Sequence, residues 1–135
     1  MEKVIMLTGR TEKGFSCSCD LLPGWVVARN GSFHQFREYV KESIDFYIEA
    51  VREDNVDYPK VFDGEYELVF KFDVQSLLQT YRGVFSLAAL ENITGIHQKQ
   101  LEHYAAGRSK PRPKQAERVA QGLKNLAEEL SAVTV

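Results

Sequence analysis

Residues 98–114, with the sequence QKQLEHYAAGRSKPRPK, contain the densest positive charge of the chain. The segment ends with four cations at alternate positions, Arg108, Lys110, Arg112 and Lys114, beside two prolines. Lys and Arg side chains at this density neutralise the phosphates of nucleic acids. The formal net charge of the whole chain is −2, so the positive charge is a local feature. Its role depends on the elements that surround it.

Carboxylates are the second set of residues with possible chemistry, because phosphodiester hydrolysis by two metal ions needs a cluster of them. Asp20 follows a predicted strand, which suits such a cluster. The other candidates lie mostly on the polar side of one predicted helix: Glu38, Glu42, Asp45 and Glu49. A helix that packs on a sheet needs a charged side facing water, and this explains the four residues without catalysis. We therefore expect no enzymatic activity.

The two cysteines, Cys17 and Cys19, are weak candidates for a metal site. Structural zinc needs four ligands, and no second pair of ligands follows. The two thiols are also too close on an extended strand for an easy disulfide bond, so we expect reduced thiols in a cytoplasmic protein. We expect no metal ion and no cofactor. The N-terminal run MEKVIMLTGR has no cleavage site, and no apolar run is long enough to span a membrane.

The elements around the cationic segment are predicted to be helices. Ser86 is suited to cap a helix that ends at a Thr-Gly turn at Gly95. A further helix is expected to begin after His97 and to end at Gly107, and Pro113 suits the first turn of the last helix. Two helices joined by such a turn form the arrangement of a helix-turn-helix DNA-binding motif.

The first half of the chain has a different pattern. VIMLTG, FSCSCDL, WVVARN and YELVFKF are predicted strands. Leu22, Pro23 and Gly24 form a turn between two of them. Ser32 caps a long helix whose apolar residues recur at helical spacing up to Val51. These elements predict an α+β layer with the helix on one face of the sheet.

The charge divides where the pattern changes. Residues 1–72 contain nine Lys or Arg and thirteen Asp or Glu, whereas residues 73–135 contain eight and six. We therefore predict two domains, an acidic α+β domain of residues 1–72 and an all-α domain of residues 73–135.

The stretch ITGIHQKQLEHYAAGRSKP resembles the core of the phage-repressor, or XRE-type, class of helix-turn-helix proteins. The resemblance makes His97 the cap of the DNA-reading helix and Gln98, Lys99 and His103 its base-reading residues. Gln can form two hydrogen bonds with adenine, and Lys can donate to guanine. The residues after the glycine are then expected to contact DNA phosphates: Arg108, Ser109, Lys110, Arg112 and Lys114.

Two residues depart from the pattern of this class. Leu87 lies where a glutamine usually contacts phosphate, and Glu91 lies where a small residue usually allows tight packing. The alternative is a plain four-helix bundle whose cations form a solvated rim.

The first half is similar to the HicB antitoxin family. The residues that carry the similarity are Phe15, Asp20, Leu22, Pro23 and Gly24. Ser32 replaces the usual threonine cap, and Trp25 replaces a cysteine after the glycine. The resemblance implies a reduced RNase H-like domain that binds a HicA-like ribonuclease toxin and covers its catalytic histidine. It also implies that the second domain binds the promoter of its own operon as a dimer or higher oligomer.

The turn after the second strand is the candidate for toxin contact, at Asp20, Leu21, Leu22 and Trp25. The same residues can also serve the turn alone. An acidic first domain suits a partner that cuts RNA, because such a partner should be basic. Self-association could use the apolar stripe between Ala116 and Leu130 or an edge of the sheet.

A one-component transcription regulator with a ligand-sensing first domain is the alternative function. Trp25, Phe33 and Phe36 could line an apolar pocket for a ligand. A single helix on a small sheet leaves little enclosed volume for such a pocket.

Overall fold

The computed structural model describes all 135 residues and divides the chain into two compact units, Met1–Asp73 and Val74–Val135. The division falls one residue after the predicted boundary. The N-terminal unit contains β1 (Glu2–Arg10), β2 (Gly14–Ser18), β3 (Val26–Asn30), α1 (Phe33–Glu53), a short 3₁₀ helix (Lys60–Asp63) and β4 (Tyr66–Phe72). The C-terminal unit contains α2 (Val74–Thr80), α3 (Leu87–Thr94), α4 (Gln98–Ala106) and α5 (Pro113–Ser131). No helix combines the length and apolar character that crossing a bilayer requires.

The N-terminal unit is built on one four-stranded mixed sheet in the order β3-β2-β1-β4. β1 pairs antiparallel with β2, and β2 pairs antiparallel with β3. β1 pairs parallel with β4, with Val4 opposite Leu68. A parallel pair needs a long connection, and α1 lies in the chain that leads from β3 to β4. The chain is therefore α+β, as predicted, while the 3₁₀ helix was not expected.

α1 covers one face of this sheet with an unbroken apolar stripe. Its buried residues recur every four positions, at Phe36, Val40, Ile44 and Ile48. They form one core with buried residues of the sheet and the following turn, which include Val4, Met6, Phe15, Cys17 and Cys19. Successive residues of a strand point to opposite faces, so the burial of Phe15, Cys17 and Cys19 confirms the predicted alternation.

The start of α1 is fixed by the predicted cap. The Oγ of Ser32 accepts a hydrogen bond from the backbone N–H of Gln35 at 3.2 Å. The Oε1 of Gln35 in turn accepts from the backbone N–H of Ser32 at 3.1 Å. These two bonds form a capping box, which satisfies two donors that a helix start leaves free.

The C-terminal unit is a cluster of helices around its own core. α3 contacts both α4 and α5, and α2 contacts α4. The buried residues of this core are Val74, Leu78, Leu90, Ile96, Leu101, Tyr104, Ala105 and Val119. The two units thus have separate cores.

α5 packs on α3 through the first part of its length. Pro113 lies in its first turn, as predicted. Val119 is the one fully buried residue of α5, while Leu130 is 59% exposed. At Gly122 the two helices approach closely, because an added Cβ would lie 2.5 Å from the carbonyl oxygen of Ile93. The predicted stripe is therefore covered only in its first half.

Candidate functional site

The turn between α3 and α4 is short and tightly hydrogen-bonded. Gly95 ends α3 in the left-handed conformation, with φ of 73°. The hydroxyl of Thr94 donates to the carbonyl of Leu90 at 2.7 Å and accepts from the N–H of Ile96 at 3.1 Å. Ile96 is buried, so the turn is anchored to the core. The angle between the two helices is fixed by these contacts.

The caps of α3 and α4 agree with the sequence. Ser86 accepts from the backbone N–H of Ala89 at 3.1 Å. Nδ1 of His97 accepts from the backbone N–H of Lys99 at 3.1 Å. Gly107 ends α4 with a φ of 76°, a conformation that side chains with a Cβ rarely adopt. The predicted limits of α4 are therefore confirmed.

Glu91 has a role that its departure from the repressor pattern did not suggest. Its Oε1 accepts a hydrogen bond from the backbone N–H of Gln98, the first residue of α4, at 2.9 Å. The carboxylate thus lies at the positive end of the α4 dipole. A side chain of α3 therefore caps α4 and ties the two helices together.

The three predicted base-reading residues are exposed on α4. Leu101, Tyr104 and Ala105 face the core, which leaves the opposite side of the helix to solvent. Lys99 and His103 are four residues apart, so they lie on the same side. Gln98 is also exposed but lies about 100° around the helix from Lys99.

His103 and Arg108 were predicted for different roles, but the structure joins them. Nε of Arg108 donates to Nδ1 of His103 at 3.2 Å. Its Nη2 also forms an ion pair of 3.0 Å with Glu102, and both of these side chains are about half exposed. Arg108 is thus held against the solvent side of α4 by two neighbours. Glu102 is a member of this group that the sequence did not single out.

Three of the other predicted phosphate residues, Ser109, Lys110 and Arg112, lie in the loop between α4 and α5, and Lys114 lies in the first turn of α5. Ser109 accepts a hydrogen bond from Nε2 of Gln100 at 3.0 Å, which links the loop to α4. Lys110, Arg112 and Lys114 form no ion pair. These three cations line an open groove of about 1270 Å³ together with further residues of α5. Their charge is thus available to an external anion.

The predicted toxin-contact residues divide into two exposed and two buried side chains. Asp20 and Leu21 are exposed, and the exposed fraction of Leu21 is 43%. Leu22 and Trp25 are buried in the core of the N-terminal unit. The backbone turns so that the N–H of Trp25 donates to the carbonyl of Leu22 at 3.0 Å, and both side chains join the core shared by the sheet and α1. Only Asp20 and Leu21 therefore present side chains for direct contact.

The residues suggested for a ligand pocket belong to the same core. The ring of Phe33 lies 5.3 Å from that of Phe70 and 5.2 Å from that of Phe72. Phe36 and Trp25 are buried in the same cluster. Aromatic rings at these distances are in packing contact, so these side chains fill the core.

The candidate metal ligands do not converge. No group of three or more His, Cys, Asp or Glu side chains lies close enough to hold a metal ion. Cys17 and Cys19 are free, buried thiols. Burial raises the pKa of Cys17 to about 12, and the neighbouring Cys19 adds to the shift.

Comparisons with models of known protein families, with curated proteins and with solved structures find no match for this chain.

Proposed function

We propose that this chain is the antitoxin of a HicAB-type toxin–antitoxin pair. Its C-terminal unit binds the promoter of its own operon through a helix-turn-helix formed by α3 and α4. Its N-terminal unit binds and neutralises a HicA-like ribonuclease that cleaves mRNA. Both activities take place in the cytoplasm, where the operator DNA and the mRNA are located.

The observation that carries the proposal is the position of α4. Its core-facing side chains leave Lys99 and His103 on the solvent side, and a loop with unpaired cations follows it directly. A helix that reads bases in the major groove needs free polar side chains on one side. Cations beside the helix fix the position of the protein on the phosphate backbone. The C-terminal unit offers both.

The surface of the N-terminal unit suits a basic partner. Asp20 is exposed in the turn beside Leu21, and Glu42 and Glu49 are exposed on the solvent side of α1. Phe46 lies between these two glutamates in sequence and is 77% exposed. Aromatic residues are enriched in protein interfaces, and complementary charge steers association. A ribonuclease that binds RNA carries the basic surface that this unit complements.

The proposal includes no catalytic activity for the chain itself. The carboxylates of α1 lie on a solvated helix face, whereas two-metal hydrolysis needs carboxylates that converge on ions about 4 Å apart. Nuclease assays of the purified protein with magnesium or manganese should therefore give no cleavage. Cleavage that Asp20→Asn abolishes would contradict this part of the proposal.

The DNA-binding part is tested by titrating the upstream operator and a scrambled duplex with the full chain and its variants. Lys99→Ala should cost about 1–3 kcal/mol of binding free energy on the operator and little on the scrambled duplex, because base contacts carry sequence preference. Gln98→Ala should act in the same direction. Lys110→Ala should weaken binding to both duplexes equally, because phosphate contacts carry no sequence preference. If Lys99→Ala and Gln98→Ala lost equal binding free energy on both duplexes, α4 would not be the helix that reads the DNA sequence.

One helix-turn-helix contacts few bases, so readers of this class bind as dimers on half-sites about one helical turn apart. We therefore expect a dimer or higher oligomer. Light scattering across a concentration series measures this, and a monomer at every concentration, with and without DNA, would contradict it.

The toxin-binding part is tested by co-expression with the adjacent basic open reading frame. Asp20→Lys should weaken co-purification of the partner because it reverses an exposed charge in the proposed contact. Glu12→Lys makes the same change at an exposed residue outside the turn and is the matched control. Absence of a basic neighbour, together with binding of a small ligand by the N-terminal unit, would favour the one-component regulator instead.

A further inference from the structure

The groove between the α4–α5 loop and α5 contains more cations than the loop alone supplies. Lys110 and Arg112 come from the loop, and Lys114, Arg118 and Lys124 come from α5. One carboxylate, Glu117, also lines it. The groove is therefore strongly positive in a chain whose formal net charge is −2.

The polar side chains of α5 that line this groove are arranged in a row. Lys114, Gln121 and Lys124 are separated by seven and three residues, a spacing that puts them on one side of a helix. Ten residues of helix extend for about 15 Å. The phosphates of one DNA strand follow each other at about 3.4 Å along the duplex axis, so the row is long enough to contact more than one of them.

The cations of the groove differ in what they already contact. The guanidinium of Arg118 donates to the carbonyl of Gly95 at 2.9 Å and to Gln115 at 3.1 Å, so it helps to hold α5 against the turn. Lys124 forms no ion pair, and neither do Lys110 and Lys114. The charges of these three lysines are free for a ligand.

The lining of the groove favours an extended anion over a small molecule. Pockets for small molecules are usually enclosed, about 300–1000 Å³ in volume and mostly lined by apolar side chains. This groove is open, is larger at about 1270 Å³, and five of the twelve residues that line it are cations. A chain of phosphates matches its length and its charge.

We propose that this groove binds the sugar-phosphate backbone of the DNA duplex beside α4, with Lys124 and Gln121 as phosphate contacts. The inference rests on the proposed DNA-binding function and extends the contact from the loop along α5. Gln100 lines the groove from α4 and holds Ser109 of the loop, so the base-reading helix and the groove share a wall. The charge of α5 changes sign after Lys124, at Glu128 and Glu129, and the contact ends there.

Glu117 limits the affinity of the groove. It lies between Lys114 and Gln121 on the same side of α5, where its negative charge repels a phosphate. Two single substitutions on one helix face therefore have opposite predicted effects. Lys124→Gln removes a contact, and Glu117→Gln removes a repulsion.

The test measures binding of the full chain to the operator and to a scrambled duplex across a salt series. Lys124→Gln should lower the slope of log affinity against log salt by about 0.9 and weaken binding roughly fivefold to tenfold at 0.1 M salt, on both duplexes. Glu117→Gln should strengthen binding to both. Lys13→Gln is the control, because it removes one exposed cation that belongs to the N-terminal unit and does not line the groove. It should leave the slope unchanged.

The outcomes separate this inference from the proposed function. If Lys124→Gln behaves like Lys13→Gln while Lys99→Ala still weakens operator binding, the groove assignment is wrong and the function stands. If Lys124→Gln and Glu117→Gln act as predicted but Lys99→Ala and Gln98→Ala do not alter sequence preference, the groove stands and the base-reading assignment fails. If the chain binds neither duplex at any salt concentration, both are overturned. Circular dichroism of each variant checks that its fold is unchanged.

Discussion

The two long helices of this chain, α1 and α5, look alike in sequence but are used differently. α1 has 21 residues and α5 has 19, and both have an apolar stripe. α1 buries four residues of its stripe along its whole length, whereas α5 buries only Val119. α1 packs on the sheet and shares one core with its strands, while α5 packs mainly on the eight residues of α3. An amphipathic pattern thus predicts a helix but not how much of it is covered.

Core truncation gives the largest expected difference between the two helices. Ile44→Ala in α1 removes a fully buried side chain and should lower the free energy of unfolding by about 2–5 kcal/mol. Leu130→Ala in α5 removes a side chain that is 59% exposed and should cost less than about 0.5 kcal/mol. Urea unfolding is followed for the N-terminal unit by the fluorescence of Trp25, the single tryptophan, and for the C-terminal unit by circular dichroism.

A large loss in the free energy of unfolding for Leu130→Ala would contradict the view that the second half of α5 is uncovered. It would mean that the second half of α5 is covered in solution by a second copy of the chain. The cost should then decrease on dilution, because the dimer dissociates.

Gly122→Ala probes the place where α5 does pack closely. In an exposed helix this change is stabilising by about 1 kcal/mol. Here the new Cβ would lie 2.5 Å from the carbonyl oxygen of Ile93, so the helices must separate, and overpacking of this kind costs about 1–3 kcal/mol. We expect a net loss of stability in thermal unfolding followed by circular dichroism. Ala50→Gly on the exposed side of α1 is the control. It should lower the free energy of unfolding by about 1 kcal/mol, as the helix propensities of Ala and Gly predict.

The beginnings of α1 and α4 provide a third, smaller contrast. α1 is capped only by its own neighbours, Ser32 and Gln35, whereas α4 is capped by its neighbour His97 and also by Glu91 from another helix. Glu91→Ala should cost about 1 kcal/mol in urea unfolding of the C-terminal unit. Glu91→Gln keeps an acceptor oxygen at the same place and should retain most of this stability. Equal losses for the two variants would show that the carboxylate charge, rather than the hydrogen bond, is what matters.

The smallest expected effect on stability concerns the end of α1. The end of α1 is joined to the 3₁₀ helix, because Arg52 and the hydroxyl of Tyr58 both donate to Oδ1 of Asp63. The hydrogen bond from Arg52, followed by that from Tyr58, holds the pKa of Asp63 below its usual value. A lowered pKa means that this contribution to stability is present above the unfolded pKa and is lost as the pH falls through the folded pKa. A carbon-detected NMR titration should show the low pKa, and Arg52→Gln should move it back toward the usual range.

Local features of the fold could be read from the sequence because neighbouring residues decide them. Ser32, Ser86 and His97 cap helices through bonds to residues two or three positions away. The strand YELVFKF coincides with β4. For the three caps the side chain and its partner lie within a few residues, and the strand pattern of β4 is contained in its own seven residues, so the local sequence is sufficient.

Features that depend on distant parts of the chain could not be read in this way. Leu22 and Trp25 flank the turn residues Pro23 and Gly24, and nothing local shows that their side chains turn into the core. Glu91 reaches Gln98 only because the turn at Gly95 brings α4 back to α3. Lys124 lines the groove from within α5, whereas Lys110 and Arg112, which the cationic sequence pattern includes, lie in the loop before this helix. For these residues the tertiary arrangement, and not the local pattern, determines the role.

The parallel pairing of β1 with β4 has a consequence for the order in which the chain acquires structure. Glu2 lies opposite Tyr66, so one edge of β1 is paired only with a strand more than sixty residues later in the chain. Closing so long a loop is entropically costly and slows folding. During synthesis, β1 and β2 leave the ribosome with a sheet edge that only β4 can complete. The helices of the C-terminal unit make contacts between segments that are close in sequence, such as α3 and α4. They should therefore form soon after they emerge, whereas the N-terminal unit, although made first, is the slower of the two to fold.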